Sequence, residues 1–464
     1  MMGVAEERMV QPPGTQADRT HVLVLGLGVT GVSCVRHLLE AGQQVTAMDS
    51  RREPPGRAQV QALERESAPG ELTVVLGAFD QRYLQDVDQL VVSPGIALAE
   101  SIVQGAIARG IEVVGDIELF ARAAGRRELV AITGTNGKST TTMLVDEMLR
   151  GSGRSSVAAG NIGLPALEVL KAPEGRTVVL ELSSFQLERT RSLTPRVAAL
   201  LNVSEDHLDQ HLSFTDYAAA KARVFRGADV AVVNADTGQL GGVLPPSDLT
   251  RLTFSVDVPT ADFGVIECAG RRWLARGGTP LLQVDDMRLV GRHNLANALA
   301  ALACVEALLG ELPAGALEAL AGYAGLPHRM QHVRDRAGVR WIDDSKATNP
   351  GATIAAVAGL DAPLVLIAGG LGKGADFAPL AIALRARARA VVVIGQDAPR
   401  LSAALAEDVD VHEAQGLADA VRKADSLAEV GDVVLLSPAC ASQDMFRNYQ
   451  HRGEVFTRCV EALE

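Results

Sequence analysis

Residues 129–140 have the sequence LVAITGTNGKST, in which a glycine loop lies between a predicted strand and a predicted helix. The apolar run LVAI is typical of a buried strand, and TTMLVDEMLR after the loop is typical of a helix. In such a loop, backbone N–H groups and the helix N-terminus face the phosphates of a nucleotide. We expect Lys138 to reach the β- and γ-phosphates, and Ser139 or Thr140 to bind Mg²⁺. A full Walker pattern would have glycine at Ile132, so this loop is a shortened variant; the alternative is a turn with a surface lysine.

A second glycine loop, GLGVTG at residues 26–31, lies near the N-terminus. It follows the apolar run VLVL and precedes the helix-like VSCVRHLLEAG, and Asp49 closes the next predicted strand, QQVTAMD. This is the dinucleotide fingerprint of strand, G-x-G-x-x-G, helix, strand and acid. Since a glycine turn that opens a helix binds any pyrophosphate, the motif does not itself select a nicotinamide cofactor. A tight turn without a ligand is the alternative.

Length and composition limit the class of protein. A chain of 464 residues is too long for one core, so two to four domains are expected. Hydrophobic residues make up 47% and aromatics 3%, a mixture that suits parallel α/β sheets buried on both faces. The net charge of −12 argues against nucleic acid as a partner, and no apolar run reaches the roughly 18 residues of a membrane helix. No membrane partner is therefore expected.

The termini and cysteines indicate a cytoplasmic protein. Residues 1–20 contain acids and prolines without an apolar stretch, so we expect a disordered extension and not a secretory signal. The odd number of cysteines has no metal-type spacing and fits a reducing compartment. The five cysteines are Cys34, Cys268, Cys304, Cys440 and Cys459. No interface pattern is evident, so a monomer is the default.

Strand and helix patterns alternate along the chain and predict an α/β protein of three domains. The first, residues 21–116, is predicted to be Rossmann-like. The second, residues 117–325, carries the phosphate loop and a small antiparallel element at residues 250–290. The third, residues 326–464, contains the apolar runs LVLIAGG, AVVVIG and DVVLLSPACAS and is again predicted to be Rossmann-like.

Three residues after the phosphate loop are candidates for a metal site. Glu181 ends the apolar strand VVLE, where an acid is a natural Mg²⁺ ligand; a capping or salt-bridging role is the alternative. His207, near the end of another predicted strand, could bind metal as a neutral imidazole or be structural. His211 is the weaker candidate. Lys221, in YAAAKARVF, would ordinarily be a solvated lysine on a helix face.

Further motifs occur in a fixed order along the chain. They are TGTNGKSTTT (133–142), NIG (161–163), ELSSFQLE (181–188), NVSEDHLDQH (202–211), AAAK (218–221), GRHNLANALAA (291–301), HR (328–329), DDSKATNP (343–350) and LLSPACAS (435–442). Together they resemble the Mur ligase family, the ATP-dependent enzymes that add amino acids to peptidoglycan precursors. The N-terminal GLGVTG, MDSR and VVSPGI resemble the members that add D-glutamate. The resemblance covers about residues 21–464.

The resemblance implies an ATP site, with Lys138, Glu181, His207, Lys221 and Lys346 as its catalytic residues. The ATP-binding residues would be Gly134, Thr135, Asn136, Gly137, Lys138, Ser139, Thr140, Asn161, Asn294, Arg329 and Asp344. Asn161 and Asn294 would contact adenine, Arg329 a phosphate and Asp344 the ribose. One Mg²⁺ would be held by Ser139 and Glu181, and a second by His207 and a carbamylated Lys221.

The same resemblance implies sites for the other two substrates, UDP-N-acetylmuramoyl-L-alanine and D-glutamate. The uridine diphosphate would be held by the first domain, through Gly28, Val29, Thr30, Asp49, Ser50, Arg51, Ser93, Pro94 and Gly95. D-glutamate would be held by Thr348, Lys373, Ser442, Gln443 and Tyr449. Gln443 departs from the family pattern, which has an apolar residue there, so its role in the pocket is open.

The implied reaction passes through an acyl phosphate. The substrate carboxylate attacks the γ-phosphate of ATP, and the amine of D-glutamate then displaces phosphate to form an amide. Because anion attacks anion in the first step, cations are required, and two Mg²⁺ ions, Lys138 and Arg329 would supply them. Domain closure would exclude water from the intermediate.

Several alternatives remain from the sequence. Residues 397–400, DAPR, resemble with one mismatch the D-N-P-R motif of the diamino-acid-adding Mur ligase. A folylpolyglutamate synthase-like ligase would share the ATP motifs but not the N-terminal ones. A nicotinamide dehydrogenase would not need the GTNGKS phosphate loop or a set of Mg²⁺ ligands, and a non-catalytic nucleotide sensor would not need Glu181, His207 and Lys221 together.

Overall fold

The structure is a computed structural model that describes residues 20–204, 213–236, 240, 243–289, 291–360 and 362–463. The chain forms two compact units. Within the described residues, the first unit comprises residues 20–124, 165–171 and 189–191, and the second comprises residues 125–164, 172–188 and those from 192 to 463. The predicted boundaries near residues 116 and 325 stay predictions.

The first unit is a parallel five-stranded sheet in the order β3-β2-β1-β4-β5. Its apolar strand residues are buried on both faces by flanking helices, as parallel sheets require. The strands are β1 (His21–Leu25), β2 (Gln44–Asp49), β3 (Leu72–Leu76), β4 (Gln89–Val92) and β5 (Glu112–Val114). The helices are α1 (Val29–Glu40), α2 (Arg57–Glu66), α3 (Ser101–Ala108) and α4 (Asp116–Ala123). The predicted Rossmann-like fold is confirmed.

The second unit begins with a nine-stranded sheet in the order β14-β13-β12-β11-β10-β9-β6-β8-β7. Its strands are β6 (Leu129–Thr133), β7 (Ser156–Gly160), β8 (Thr177–Glu181), β9 (Val197–Leu200), β10 (Val230–Asn234), β11 (Thr250–Phe254), β12 (Phe263–Cys268), β13 (Arg271–Arg276) and β14 (Thr279–Gln283). Its helices are α5 (Lys138–Gly151), α6 (Ser184–Glu188), α7 (Phe214–Ala222), α8 (Arg292–Leu309) and α9 (Ala314–Gly322). Four alanines of α8, Ala298, Ala300, Ala301 and Ala303, are fully buried in the core against this sheet.

The predicted antiparallel element is present, with one difference. Strand β13 is antiparallel to both β12 and β14, as expected from residues 250–290, whereas β12 pairs with β11 in parallel. However, β11, the first strand of that stretch, pairs with β10 in parallel and extends the main sheet. Short alternating segments could not distinguish these two pairings, because both place every second residue on one face.

A six-stranded sheet in the order β15-β16-β20-β17-β18-β19 completes the second unit. Strand β15 is antiparallel to β16, and the other neighbours are parallel. The strands are β15 (Gln331–Arg336), β16 (Val339–Asp343), β17 (Leu364–Gly369), β18 (Ala388–Ile394), β19 (Val411–Glu413) and β20 (Val433–Leu436). The helices are α10 (Pro350–Ala358), α11 (Ala378–Leu384), α12 (Ala398–Leu405), α13 (Leu417–Leu427) and α14 (Tyr449–Glu461).

Each of the two sheets of the second unit has its own core. Helices α5 and α8 pack on the first of them, with Leu144, Met148 and Leu299 fully buried. In the second, Trp341 packs against Phe456 of α14, with ring centroids 6.2 Å apart. Within the ranges given above, no helix combines the length and apolar character needed to cross a bilayer.

Candidate active site

In the first unit, two predicted substrate-binding loops meet at one edge of the sheet. The glycine loop, residues 26–31, follows β1, and Ser93, Pro94 and Gly95 follow β4. Strand order reverses between β1 and β4, and the crevice at such a point is where open α/β sheets bind ligands. The hydroxyl of Ser93 donates to Gly26 O at 2.9 Å, so the two loops are joined directly.

Asp49 supports the glycine loop from the end of β2. Its Oδ2 accepts from the backbone N–H of Leu27 at 2.8 Å, and both its oxygens accept from the Arg51 guanidinium. Asp49 is 2% exposed, whereas Ser50 and Arg51 beside it are exposed. The carboxylate was expected to line a uracil site; in the described structure it holds the loop, and its contact with a nucleotide stays a prediction.

Two glycines of this loop have different surroundings. A Cβ on Gly31 would lie 1.7 Å from Gly26 O, so only glycine lets α1 pack this close to the loop. No described atom lies within 4 Å of a Cβ built on Gly28, and this residue has an extended backbone. Val29 is 69% exposed and Thr30 is half-buried. Space for a ligand therefore lies next to Gly28.

In the second unit, the phosphate loop follows β6 and opens α5. Gly137 has φ +84°, a left-handed conformation that favours glycine. A Cβ there would also lie 2.2 Å from Asn297 Oδ1 of α8. Asn297 was not predicted from the sequence; its spacing from Asn294 in HNLAN, one helical turn, is the signal that could have found it.

Two lysines converge on one carbonyl of the loop. Lys138 Nζ donates to Gly134 O and Thr135 O, each at 2.8 Å, and Lys221 Nζ donates to Gly134 O at 2.8 Å. Lys221 is 2% exposed, and its Nζ lies 4.5 Å from the centre of the Tyr217 ring. The alternative of a solvated lysine on a helix face is therefore wrong, because α7 turns this side chain inward.

Glu181 lies at the end of β8, next to the strand that leads into the phosphate loop. Its Oε1 accepts from Asn161 Nδ2 at 3.0 Å, whereas its Oε2 is buried and has no hydrogen-bond partner among the described residues. A buried carboxylate oxygen without a donor is costly unless a cation binds it. The residue therefore fits the predicted Mg²⁺ ligand. Asn161, expected to contact adenine, orients this carboxylate in the described structure.

A cavity of about 720 Å³ lies between the phosphate loop and the six-stranded sheet. Arg329 reaches across it, and its Nη2 donates to Ser139 Oγ at 2.8 Å. Most of the residues predicted for the ATP site line this cavity: Thr135, Asn136, Gly137, Lys138, Ser139, Thr140, Asn161, Glu181, Asn294, Arg329, Asp344 and Lys346. Gly134 contributes its carbonyl beneath the loop.

Burial shifts the pKa of two of the predicted site residues in this cavity, Lys346 and Asp344. Desolvation, with help from the charges of Arg329 and Lys138, lowers the pKa of Lys346 to about 8, while Glu181 acts in the opposite direction. Lys346 Nζ lies 4.1 Å from the centre of the Tyr449 ring. Desolvation raises the pKa of Asp344 to about 7 against a hydrogen bond from Ser437. Both groups therefore titrate close to physiological pH.

The predicted amino-acid-binding residues lie in loops at the carboxyl edge of the six-stranded sheet. Thr348 lines the cavity, and Tyr449 begins α14 beside Lys346. Lys373 follows β17 and is exposed, with φ +50°. Ser442 is buried after β20, and its neighbour Gln443 is exposed. A two-way backbone bridge between Leu371 and Ala441 brings the loops of Lys373 and Ser442 together.

Two supporting residues were missed by the sequence analysis, and one prediction cannot be located. Arg189 donates through Nη1 to Ser93 O at 3.1 Å within the first unit, and Arg452, fully buried, donates to the Ser345 and Cys440 carbonyls. Neither arginine belongs to a motif with a recognisable spacing.

His207, like His211, lies outside the described residues. Among the described residues, no three His, Cys, Asp or Glu side chains cluster as a metal site.

Comparison with known families identifies three consecutive regions. Residues 20–115 match the Mur ligase MurD-like N-terminal domain, residues 132–305 the Mur ligase middle domain, and residues 328–440 the Mur ligase glutamate ligase domain. The chain is 47% identical over 456 residues to the UDP-N-acetylmuramoylalanine–D-glutamate ligase of Nitrosococcus oceani, covering 98% of this chain and 99% of that protein. It is 49% identical to the ligase of the same name from Methylobacillus flagellatus, covering 97% and 98%.

Solved structures show the same fold at lower identity. The UDP-N-acetylmuramate–alanine ligase MurC of Thermotoga maritima has a TM-score of 0.61 at 19% identity, covering 96% of this chain and 100% of that one. The folylpolyglutamate synthase of Mycobacterium tuberculosis, complexed with ADP and AMPPCP, has a TM-score of 0.58 at 19% identity, covering 74% and 93%.

Proposed function

This chain belongs to the Mur ligase family, and we propose that it is the ATP-dependent ligase that adds D-glutamate to UDP-N-acetylmuramoyl-L-alanine in peptidoglycan precursor synthesis. Near-full-length relatives at 47% and 49% identity carry that name, and the first region matches the MurD-like type of N-terminal domain. The products are the amide, ADP and phosphate.

The observation that carries the proposal is the composition of the cavity in the second unit. A phosphate loop, the buried carboxylate of Glu181 and the cations Lys138, Arg329 and Lys346 line one space. A dehydrogenase or a simple nucleotide sensor has no use for this set. Phosphoryl transfer between two anions needs it, because positive groups must offset the charge as the carboxylate approaches the γ-phosphate.

The residues of this cavity divide the work of the first chemical step. Lys138 and Arg329 bind and orient phosphate oxygens, and the Glu181 carboxylate, oriented by Asn161, would hold Mg²⁺ together with Ser139. Bound Mg²⁺ supplies Lewis-acid stabilisation of phosphate charge. The substrate carboxylate then attacks phosphorus, the bond to ADP breaks, and an acyl phosphate forms.

The second step joins D-glutamate to the activated carbonyl. Its neutral amine nitrogen forms the amide bond and loses one proton, while phosphate leaves with the electrons of the carbon–oxygen bond. We propose that Lys373 and Ser442 bind its carboxylates, since charge-assisted hydrogen bonds suit a small dianion, with Thr348, Gln443 and Tyr449 around it. The bridge between the loops of Lys373 and Ser442 supports this assignment.

We further propose that Lys221 is carbamylated and shares a second Mg²⁺ with His207. The ammonium groups of the half-buried Lys138 and the buried Lys221 donate to the same Gly134 carbonyl, so two like charges lie close together. As a scale, two like unit charges 4 Å apart repel by about 4 kcal/mol at an effective dielectric near 20. The ammonium first loses a proton to give the neutral amine. Reaction of this amine with CO₂ forms an N–C bond and releases a second proton, so a carboxylate takes the place of the positive charge. The modification therefore removes the repulsion and creates a metal ligand.

Variants of Lys221 test the modification. We expect Lys221→Ala to lose nearly all activity, Lys221→Arg not to restore it, and acetate to rescue the alanine variant in part. After exposure to ¹³CO₂, a carbamate carbon signal is expected in the native protein and not in Lys221→Ala. Lys423→Ala, on the distant α13, is the control. Full activity of Lys221→Ala, or the absence of the carbamate signal in an active protein, would overturn this part of the proposal.

Phosphate release from ATP tests the function itself. The protein is supplied with UDP-N-acetylmuramoyl-L-alanine and, in separate reactions, D-glutamate, L-glutamate or a diamino acid. We expect release with D-glutamate alone; preference for the diamino acid would instead support the alternative raised by residues 397–400. Lys373→Ala should raise the KM for D-glutamate and leave the KM for ATP nearly unchanged.

The proposal places the reaction in the cytoplasm, with the protein as a monomer. All five cysteines are free, which is typical of a reducing compartment. Size-exclusion chromatography with light scattering tests the oligomeric state.

A further inference from the structure

The turn that carries Lys373 has an unusual backbone. Residues 372–375 form a four-residue turn closed by a hydrogen bond from Ala375 N to Gly372 O at 2.9 Å. Its central residues, Lys373 and Gly374, have φ of +50° and +78°. This is the pattern of a type I′ turn, in which a residue with a Cβ at the first central position is strained. Surrounding contacts must therefore hold Lys373 in this conformation.

The DAPR segment, residues 397–400, supplies such contacts at both ends of the turn. Asp397 Oδ2 accepts from Gly372 N at 2.6 Å, at the first residue of the turn. Arg400 Nη2 donates to Ala375 O at 3.0 Å, at its last residue. The two side chains are joined to each other, with Arg400 Nη1 donating to Asp397 Oδ1 at 3.3 Å.

Two more contacts fix the same segment on either side. The backbone N–H of Asp397 donates to Gly370 O at 3.0 Å, before the turn. The Arg400 guanidinium lies 5.5 Å from the centre of the Phe377 ring, after it. The guanidinium thus has a carboxylate, a carbonyl and an aromatic face as partners within its own domain, although half of its surface is exposed.

We propose that Asp397 and Arg400 form a clamp on the turn 372–375 and so position the Lys373 ammonium for a carboxylate of the acceptor amino acid. This inference rests on the proposed function, in which Lys373 binds D-glutamate. It assigns a role to the DAPR segment that differs from recognition of a diamino acid: the two side chains act through Lys373, as positioning residues. The spacing of three residues places both side chains at the first turn of α12, where they span the turn.

A double-mutant cycle separates positioning from direct contact. We expect Arg400→Ala and Asp397→Ala each to raise the KM for D-glutamate about tenfold, the effect of losing one hydrogen bond to a charged group, with the KM for ATP unchanged. In a Lys373→Ala background, adding Arg400→Ala should change the D-glutamate KM less than twofold, because the group that the clamp positions is gone. Arg400→Lys should be intermediate, since lysine lacks the planar fork that reaches both partners.

The matched control is Arg422→Ala on α13. Arg422 pairs with Asp419 at the same spacing of three residues, is exposed, and lies in another helix of the same domain. Replacing Arg422 by alanine should leave the KM values for D-glutamate, ATP and UDP-N-acetylmuramoyl-L-alanine unchanged. If the Arg400 effect persists in the Lys373→Ala background, Arg400 contacts the amino acid itself and the positioning role is wrong. If all KM values and the Tm change together, the pair is merely structural, which also overturns the proposal.

Hydrogen exchange tests the clamp without any substrate. In Asp397→Ala, the amide of Gly372 should exchange about tenfold faster, and the change should be confined to residues 370–377. Unchanged exchange there would refute the clamp even if D-glutamate is the substrate. If the native protein does not use D-glutamate but exchange increases as expected, the proposed function has failed and the clamp has not.

Discussion

Replacement of Gly28 by valine should separate substrate binding from folding in the first unit. Gly28 has φ −81° and ψ −172°, an extended conformation that valine adopts readily. No described atom would lie within 4 Å of the new Cβ. We therefore expect a loss of unfolding free energy of only about 1 kcal/mol, from the poorer N-terminal residue of α1.

Binding should respond much more strongly than stability. The valine side chain would occupy the open space beside the first amide groups of α1, which have no acceptor within the helix and are available to a diphosphate. Loss of one charge-assisted hydrogen bond costs about 2 kcal/mol, which corresponds to a roughly 30-fold weaker affinity. Isothermal titration should show this loss for UDP-N-acetylmuramoyl-L-alanine, with ATP binding unchanged.

Gly31→Ala is the contrasting variant in the same loop. Its Cβ would lie 1.7 Å from Gly26 O, so α1 must move away from β1 and Ser93. We expect a lower Tm together with weaker binding, since overpacking of this kind costs about 1–3 kcal/mol. Native affinity in Gly28→Val, or tight binding of NAD by the native protein, would refute the assignment of this loop to the uridine diphosphate.

Three further predictions concern the ATP site. Glu181→Gln should raise the thermal stability of the ligand-free protein, because a neutral amide replaces a buried carboxylate that has one oxygen without a donor. The same variant should weaken Mg²⁺-dependent ATP binding more than tenfold. A lower Tm together with native ATP affinity would contradict this prediction. The pKa of Lys346 is lowered to about 8, so kcat/KM should fall about tenfold per pH unit above pH 8 as this ammonium loses its proton. The variant Lys346→Arg should be slower but should lack this decline, because the guanidinium stays protonated. An identical pH profile in the variant would mean that another group causes the decline. Because the pKa of Asp344 in the folded protein is raised to about 7, its contribution to stability is complete below about pH 4 and is lost as the pH rises through 7. In Asp344→Asn, the free energy of unfolding measured by chemical denaturation should therefore depend less on pH between about 4 and 7. An unchanged pH dependence would argue against the raised pKa of Asp344.

The sequence by itself determined the local parts of this protein. The apolar strands before both glycine loops, the helices after them and the alternation that predicts parallel sheets follow from residue periodicity and from the conformational freedom of glycine. Glu181 could be placed at a strand end for the same reason. These features depend on residues within about ten positions of each other, and the structure confirms the fold that they predict.

The tertiary structure decided which distant groups meet these local elements. Arg329 and Ser139 are 190 residues apart in the chain, yet they form a direct hydrogen bond across the cavity. Asn297 lies against Gly137, and the Asp397–Arg400 pair holds the turn of Lys373, although no periodic pattern connects either pair. Lys221 shows the same limit, since the helix pattern alone could not tell whether the lysine faces solvent or the phosphate loop. Such contacts are set by how sheets and helices pack over the whole chain, and one-dimensional spacing carries no information about that packing.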